Sequence, residues 1–345
     1  MKTARFWSYD PAVPSFRLRL APVAAALAAR GWRCAVERLP RGRRLRRVVE
    51  RRGTLAQTDL LVLHKLNLAP GEGPLLRRWA PAVAFDVDDA IYLRKPRRLG
   101  DAPGDSWLRR RKFAASCRAA GLVLAGNPTL AAAVPRADAA KVALAPTPVD
   151  IGRYTVLPAA ERRPHTLVWI GLAENLFYLD AVRPVLAALA RRYPRLVLRV
   201  VSSSAPVWDD PPVEHVAWSE VGEAAALATA GVGLMPLADD AWTRGKCAFK
   251  LLQYMAAGLP CVASPVGANR DAVVDGETGL LAADADGWRR SLERLLDDPA
   301  RGFGMGCAGR RKVETEYATA VVSARVADRL EALAAGRRRG EGEGG

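Results

Sequence analysis

The chain has 345 residues, which suits two domains of ordinary size because single hydrophobic cores rarely grow beyond about 250–300 residues. Half of the residues are apolar and 26% are charged, a globular composition that excludes general disorder. No apolar run approaches the roughly 18 residues of a membrane span, and the N-terminus lacks a signal core. Five cysteines show no paired spacing, so we expect a cytoplasmic protein without a disulfide or zinc framework.

The sequence is strongly basic, since 52 Lys and Arg against 36 Asp and Glu give a net charge of +16. That sign suits nucleic acid, anionic lipid head groups or phosphorylated substrates. Basic runs lie at 41–47 and 109–112, but aromatic residues do not interleave with them as in a single-strand nucleic-acid groove. Val48 and Val49 follow the first run, which is typical of a basic amphipathic helix. An anionic membrane surface and an ordinary solvated face are therefore the two open interpretations, and no specific nucleic-acid partner is expected.

The first half of the chain alternates short apolar runs with longer helical patterns. Strands are predicted at 4–7, 34–36, 59–64, 82–86, 121–125 and 142–145, with helices at 16–29 and 107–119. Such alternation predicts a doubly wound α/β domain. The proline-punctuated segment 146–150 and the charged stretch 159–163 mark a boundary, so the first domain is predicted to cover 1–150.

The second half repeats this alternation. Strands are predicted at 166–171, 196–201, 215–218, 231–237, 260–264 and 278–282, and helices at 178–191, 223–229, 286–296, 299–313 and 318–335, besides one within 243–258. We therefore expect a second Rossmann-like domain at 151–335 and a disordered tail at 336–345. Ligands of such domains bind outside the carboxyl ends of the strands, in a cleft between the two domains.

The segment 243–267, TRGKCAFKLLQYMAAGLPCVASPVG, contains the most informative pattern. Apolar residues at 248, 251, 252 and 255 form one helical stripe, and Lys246, Lys250 and Gln253 share the other side. Two lysines in the opening turns of a helix are disfavoured by the helix dipole and by each other. A bound anion would reverse both effects, so this helix start is predicted to face a phosphate. The alternative is that both lysines lie on a solvated helix face.

Three segments carry a family resemblance: GLMPL at 233–237, KLLQYMAAGLPCVASPVG at 250–267 and VVDGETGLLA at 273–282. In order and spacing they resemble the donor domain of GT-B-fold glycosyltransferases of family 4, over most of 165–325. The resemblance implies a GT-B fold, with two Rossmann-like domains facing across a cleft. It also implies transfer of a sugar from a nucleotide-diphosphate sugar, typically with retention and without an obligatory metal. The diphosphate of such a donor meets the start of the helix that carries Lys250.

The chain departs from this family at the glutamate pair. Relatives carry two glutamates separated by seven residues, of which the first holds sugar hydroxyls and the second holds the ribose. Here Gly245 and Gln253 occupy those positions. Gln253 can still hydrogen-bond a ribose because its amide both donates and accepts, whereas Gly245 cannot replace a carboxylate. Asp239 or Asp240 could supply the missing contact, and Asp240 is taken as the candidate catalytic carboxylate.

The donor-binding loop differs as well. Relatives place Arg and Lys after the first strand of this domain, whereas here the loop 171–179, beginning at Gly171, has no cation. The main mechanistic hypothesis is therefore that Lys246 and Lys250 supply the phosphate charge and act catalytically, because fixed cations stabilise the leaving diphosphate.

Other candidates follow from their positions at strand and helix ends. On the donor side they are Gly171, Gly267, Asn269 and Arg17, the last with an ordinary surface arginine as the alternative. On the acceptor side they are Asp88, Asp89 and His64. Carboxylates there can orient an acceptor or act as a base, whereas a lone histidine is more often a packing residue.

These observations predict a glycosyltransferase that moves a hexosyl group to a cell-envelope glycan, a lipid or a small molecule, with peripheral attachment to the inner membrane face as a further expectation. Its expected partners are a nucleotide-sugar donor and an unidentified acceptor, with no cofactor and no metal. The alternatives are a sugar-nucleotide epimerase or phosphorylase of the same fold, a non-catalytic nucleic-acid or lipid-binding protein, and an inactive transferase.

Overall fold

The computed structural model describes residues 1–40, 42 and 44–342, which form two α/β domains, each built on a six-stranded sheet. Every recorded pairing between neighbouring strands is parallel, as the continuous apolar runs predict. The GT-B expectation of two facing Rossmann-like domains is therefore confirmed. Among the described helices, none combines the length and the apolarity needed to cross a bilayer.

The first domain has the strand order β2-β1-β3-β4-β5-β6. Its strands are β1 (Thr3–Ser8), β2 (Arg33–Arg38), β3 (Leu60–His64), β4 (Val83–Val87), β5 (Leu122–Ala125) and β6 (Val142–Leu144). Its helices are α1 (Pro14–Ala29), α2 (Arg44–Val49), α3 (Arg52–Ala56), α4 (Glu72–Trp79), α5 (Trp107–Ala119) and α6 (Pro128–Ala132). Every residue of β3 and β4 is buried, because helices cover both faces of the sheet.

The second domain has the strand order β12-β11-β10-β7-β8-β9. Its strands are β7 (Thr166–Ile170), β8 (Val197–Ser202), β9 (Val213–Ala217), β10 (Val232–Met235), β11 (Cys261–Ala263) and β12 (Leu280–Leu281). Its helices are α7 (Phe177–Asp180), α8 (Arg183–Arg192), α9 (Glu220–Ala228), α10 (Phe249–Ala256), α11 (Asn269–Ala272), α12 (Ala285–Asp297) and α13 (Pro299–Glu316). The order reverses between β7 and β10, where ligands of such sheets bind.

The last helix, α14 (Thr319–Gly342), corrects the predicted domain boundary. It returns to the first domain, where Val326 and Leu330 share a buried cluster with Leu20 and Leu27 of α1. Arg30 at the end of α1 also pairs with Asp328 at 2.7 Å. The predicted second domain, 151–335, therefore ends before α14, because the buried apolar residues of this helix pack against those of α1.

Two further predictions about helices were wrong. The single helix expected at 178–191 is divided into α7 and α8, because Pro184 lacks a backbone N–H and is tolerated only in the first turn of a helix. The tail predicted to be disordered, 336–345, continues α14 as far as Gly342, and residues 343–345 lie outside the described residues. All five cysteines are free, as their spacing predicts.

Candidate active site

A cavity of about 380 Å³ lies between the two domains at the carboxyl ends of both sheets. The first domain contributes the start of α1, the residues that follow β4, and Thr147. The second domain contributes Ile170 and Gly171 at the end of β7, Met235 at the end of β10, and the start of α10. The cavity therefore lies at the strand-order reversal of the second sheet, where the fold predicts a ligand.

Two lysines reach this cavity without a carboxylate partner. Lys246 Nζ lies 5.6 Å from the centre of the Tyr178 ring, and Lys250 Nζ lies 4.0 Å from the centre of the Trp169 ring. Across the described residues, neither ammonium group has a recorded ion pair with an Asp or Glu side chain. An aromatic face attracts a cation without forming an ion pair, so both ammonium groups can still bind an anion.

The electrostatics of the two lysines support the same interpretation. Burial lowers the pKa of Lys246, although the charge of Asp89 opposes the change. Burial, together with the positive charges of Lys246 and Lys95, lowers the pKa of Lys250 well below its ordinary value. The protein therefore holds positive charge here at a cost in free energy, and an anion in the cavity would offset that cost.

The start of α10 differs from the prediction, because the helix begins at Phe249 and Lys246 precedes it in an extended conformation. Between them, Ala248 has a φ of 53°, a left-handed conformation that costs energy in a residue with a Cβ atom. Lys250 lies in the first helical turn, where backbone N–H groups have no intrahelical acceptor. Phe249 and Lys250, the first residues of α10, line the cavity together with Lys246. A helix start and two ammonium groups thus meet at one place, which is the arrangement that binds phosphate.

Gly171 lies directly against this cationic group. A Cβ atom on Gly171 would lie 2.7 Å from Lys250 Nζ and 2.7 Å from the edge of the Trp169 ring. Glycine at the end of β7 therefore allows Lys250 to lie over Trp169. Gly171 also lines the cavity, and its predicted contact with the donor stays a prediction.

Asp240 does not line the cavity. Its Oδ1 accepts hydrogen bonds from the backbone N–H groups of Trp242 and Thr243, at 2.7 and 2.8 Å. Asp239 instead pairs with the exposed Arg244 at 2.6 Å. Both carboxylates stabilise the loop that leads to α10, and the charge of Asp240 also acts on Lys246, so a catalytic role of Asp240 stays a prediction.

Three other predicted donor contacts are structural. A Cβ atom on Gly245 would lie 2.8 Å from the Ala90 side chain, so this glycine allows a close contact between the domains. Gly267 has a φ of 51° and lies against the backbone of Arg244. Asn269 is buried and donates to the carbonyl oxygen of Ser264 at 3.0 Å. None of the three lines the cavity, so these donor-binding predictions are not supported.

The acceptor-side candidates separate into two groups. Asp88 and Asp89 line the cavity and share Lys65, whose Nζ lies 2.9 and 2.5 Å from their oxygens. Burial alone would raise the pKa of Asp88, but the charges of Lys65 and Arg19 lower it, so this carboxylate is ionised near neutral pH. Lys65 itself has a φ of 50°, which places a second strained residue beside the cavity.

His64, the remaining acceptor-side candidate, does not line the cavity. Its Nδ1 is 3.0 Å from Ser8 Oγ, and its ring meets the edge of Phe16. Burial lowers its pKa, so the imidazole is neutral near neutral pH. The structure thus supports the packing alternative for His64.

Contacts between the domains frame the cavity. Arg17 lines it and lies 3.5 Å from Glu220, and Lys95 lies 2.5 Å from Glu174 on the other domain. Asn127 caps α6 with its oxygen and donates its amide to the carbonyl oxygen of Lys246 at 2.9 Å. The loop that carries Lys246 is therefore held by both domains.

Several residues of the site escaped sequence reasoning. Gln253 lines the cavity as predicted, but it contacts an unexpected buried carboxylate, Glu223, at 3.0 Å. Trp218 also lines the cavity, immediately after β9. Its position after the carboxyl end of a strand could have identified it. No pattern in the sequence marks Glu223 or Lys65, which depend on long-range packing.

Comparison with known proteins shows which family and which solved structures this chain resembles. Residues 165–298 match the sequence model of the family described as glycosyl transferases group 1. This match lies within the second domain, and the whole chain has the GT-B fold. Sucrose-phosphate synthase from Thermosynechococcus elongatus superposes with a TM-score of 0.73 at 18% identity, over 97% of this chain and 100% of that one. The Anabaena protein HepE, solved with UDP and glucose, superposes with a TM-score of 0.68 at 14% identity, over 96% and 100%.

Curated relatives are similar over shorter stretches. The D-inositol 3-phosphate glycosyltransferase of Kineococcus radiotolerans is 32% identical over 213 residues, which cover 52% of this chain and 49% of that protein. A GDP-mannose-dependent mannosyltransferase of Corynebacterium glutamicum, which acts on a monoacylated phosphatidylinositol monomannoside, is 35% identical over 82 residues, covering 23% and 21%. The chain thus matches about half the length, or less, of these relatives.

Proposed function

We propose that this protein is a glycosyltransferase that uses a nucleotide-diphosphate sugar and binds the donor diphosphate between Lys246, Lys250 and the first amides of α10. The observation that carries the proposal is the pair of half-buried lysines that reach the cavity without a carboxylate partner among the described residues. A diphosphate supplies a counter-charge for these two lysines. The family match within the second domain and the UDP bound to a structural neighbour also support a nucleotide-sugar donor.

The chemistry follows from this placement. Breaking the bond between the sugar and the phosphate leaves negative charge on the departing nucleoside diphosphate. Lys246, Lys250 and the helix amides face that charge in a partly water-excluded cavity, where removal of one such donor costs about 10²–10³ in rate. Retention of the anomeric configuration stays a prediction from the family resemblance.

The acceptor enters, on this proposal, from the side of the first domain. Asp88 and Asp89 line that side of the cavity, and each forms an ion pair with Lys65. Carboxylates so placed orient the acceptor hydroxyl by accepting its hydrogen bond. The names of two relatives include inositol phosphate or a phosphatidylinositol mannoside. Together with the net charge of +16, they support an anionic, hydroxyl-bearing acceptor.

We also propose that the first domain meets an anionic membrane surface. Trp107 and Leu108 begin α5 with 70% and 49% exposure, and three arginines, 109–111, follow them directly. An exposed apolar tip with adjacent cations suits the interface of an anionic bilayer. Sedimentation with phosphatidylglycerol vesicles should be lost in Trp107→Ser and in high salt. Equal sedimentation with neutral phosphatidylcholine vesicles would contradict the proposal.

A transfer assay tests the main proposal. The protein is incubated with labelled UDP-, GDP- and ADP-sugars and with inositol phosphate or phosphatidylinositol, and the product is identified. Label in the acceptor, with release of nucleoside diphosphate, supports a transferase. Interconversion of the donor without an acceptor would indicate an epimerase, and phosphate-dependent release of a sugar phosphate would indicate a phosphorylase. Binding of nucleic acid without any donor turnover would contradict the proposal.

A further inference from the structure

A buried carboxylate lies beside the position where relatives carry their ribose glutamate. Glu223 on α9 is 5% exposed, and its Oε1 accepts hydrogen bonds from Tyr154 Oη at 2.9 Å and from Gln253 Nε2 at 3.0 Å. Arg153 approaches the same oxygen at 3.3 Å. The other oxygen of Glu223 accepts the indole N–H of Trp218 at 2.6 Å. One carboxylate therefore fixes two residues that line the cavity, Gln253 and Trp218.

These contacts determine the orientation of the Gln253 amide. Its Nε2 donates to Glu223 at 3.0 Å and to Tyr154 Oη at 3.0 Å, which uses both of its hydrogens. A carboxylate can only accept, so the nitrogen must face Glu223 and the oxygen is left as an acceptor. A glutamate at 253 would place two carboxylates at hydrogen-bond distance, which strongly disfavours ionisation of both. Glutamine at this position is thus the partner that Glu223 requires.

Trp218 contributes an aromatic ring to the wall of the same cavity. It follows β9, is 45% exposed and lines the cavity wall. The 2.6 Å bond from its indole N–H to Glu223 restricts rotation of the ring. A tryptophan held in this way offers a flat, preorganised surface to a planar ligand, and stacking of a nucleic-acid base on an aromatic ring contributes about 1–3 kcal/mol per base.

The three positions follow one another along the cavity. Lys250 lies in the first turn of α10, and Gln253 lies one turn further along the helix. Glu223 connects Gln253 to Trp218, because it accepts hydrogen bonds from both side chains. A nucleoside diphosphate has the same order of parts, namely phosphates, ribose and base. A ligand with its phosphates at Lys250 therefore brings its ribose to Gln253 and its base towards Trp218.

We infer that Trp218 is the stacking platform for the nucleobase of the donor, and that Glu223 is the positioning residue that holds Trp218 and the ribose-binding Gln253. This inference rests on the proposed use of a nucleotide-sugar donor. It also gives a physical account of the missing family glutamate: the carboxylate has moved from 253 to 223, and an amide stands where the family has its acid.

Binding of nucleoside diphosphates and of inorganic pyrophosphate tests the platform. Titration calorimetry with UDP, GDP and ADP should show affinity falling about 10-fold in Trp218→Ala, with less loss in Trp218→Phe, because a stacking term of about 1.4 kcal/mol corresponds to that factor. Pyrophosphate should bind Trp218→Ala and wild type alike. Val221→Ala is the matched control, since Val221 lies on α9 with 86% exposure and does not line the cavity.

Exchange of the carboxylate tests the positioning role. Glu223→Gln and Gln253→Glu should each weaken nucleoside diphosphate binding, and the double variant Glu223→Gln/Gln253→Glu should regain most of the lost affinity. A purely structural role of Glu223 predicts losses that add in the double variant.

The outcomes separate this inference from the proposed function. If wild type binds no nucleoside diphosphate, both are overturned. If wild type binds it and Trp218→Ala loses affinity for the nucleotide and pyrophosphate equally, or for neither, the inference alone is overturned. A double exchange that fails to regain affinity would overturn the positioning role of Glu223.

Discussion

Gly171 and Lys250 are in direct contact, because a Cβ atom on Gly171 would lie 2.7 Å from Lys250 Nζ. The same Cβ atom would lie 2.7 Å from the Trp169 ring, so neither neighbour can move without disturbing the other. The end of β7 and the first turn of α10 therefore depend on a residue without a side chain. This contact links the strand-order reversal of the second sheet to the cationic site.

Gly171→Ala should displace Lys250 from the Trp169 ring. We expect the affinity for UDP or GDP to fall about 10-fold and the free energy of unfolding to fall by about 1–3 kcal/mol, the usual cost of overpacking. Titration calorimetry and chemical denaturation measure the two effects. Gly304→Ala is the control, because Gly304 lies within α13 with open space around it and should gain up to about 1 kcal/mol. Unchanged nucleotide affinity in Gly171→Ala would contradict the contact's role.

Lys250→Met should stabilise the ligand-free protein. Burial of an uncompensated charge is costly, and a methionine keeps the length and the contact with Trp169. We expect the free energy of unfolding at neutral pH to rise by about 1 kcal/mol, measured by denaturation in urea. Because the pKa of Lys250 is lowered on folding, the folded state binds fewer protons there, and this penalty fades as pH rises. A lower free energy of unfolding in Lys250→Met would contradict the proposed cost of burying the Lys250 charge.

Nucleotide binding should depend on pH with a defined sign. The pKa of Lys250 is well below its ordinary value in the free protein, and a bound diphosphate should raise it. Binding therefore takes up protons, and affinity should fall as pH rises between about 7.5 and 10, where the phosphates stay fully ionised. Calorimetry in buffers of different ionisation enthalpy counts the protons. If the affinity of the wild type does not change with pH, or if that of Lys250→Met falls equally as pH rises, Lys250 is not the group that takes up the proton.

The pair Arg47–Glu72 should dominate the stability of the first domain. Its atoms are 2.7 Å apart, and the two side chains are 3% and 0% exposed. Glu72→Gln should cost about 3–5 kcal/mol, because it leaves a buried guanidinium without its counter-charge. Arg46→Met removes the exposed neighbouring pair with Glu50 and should change stability by less than about 0.5 kcal/mol. Thermal unfolding compares the two variants, and similar losses in both would contradict this ranking.

The fold was largely predictable from local pattern. Runs such as 60–63 and 122–125 are apolar throughout, and helices cover both faces of the strands that they form. The alternation of strands and helices then leaves few topologies for a parallel sheet. The packing of α14 on the first domain was not predictable in the same way, because it joins residues far apart in the sequence, such as Arg30 and Asp328, which are separated by 298 positions.

The site was predictable only in part. Lys246, Lys250 and Gln253 belong to one sequence segment, Gly171 follows the first strand of the second domain, and all four line the cavity. Asp240 and Asn269 were attractive because of their chemistry, but their side chains satisfy the local backbone instead. Glu223 lies 30 residues before Gln253 on another helix, so its role depends on tertiary packing that no local pattern encodes.

The most direct test of the account is the binding of nucleoside diphosphate to lysine variants. Titration calorimetry with UDP and GDP should show that Lys246→Met and Lys250→Met each lose about 10–100-fold in affinity, as expected for a charged hydrogen bond of about 1.5–3 kcal/mol. Lys2→Met is the matched control, since Lys2 also lies over a tryptophan, Trp32, at 5.2 Å but outside the cavity, and it should bind like wild type. Affinities for both cavity variants equal to that of Lys2→Met would contradict the account.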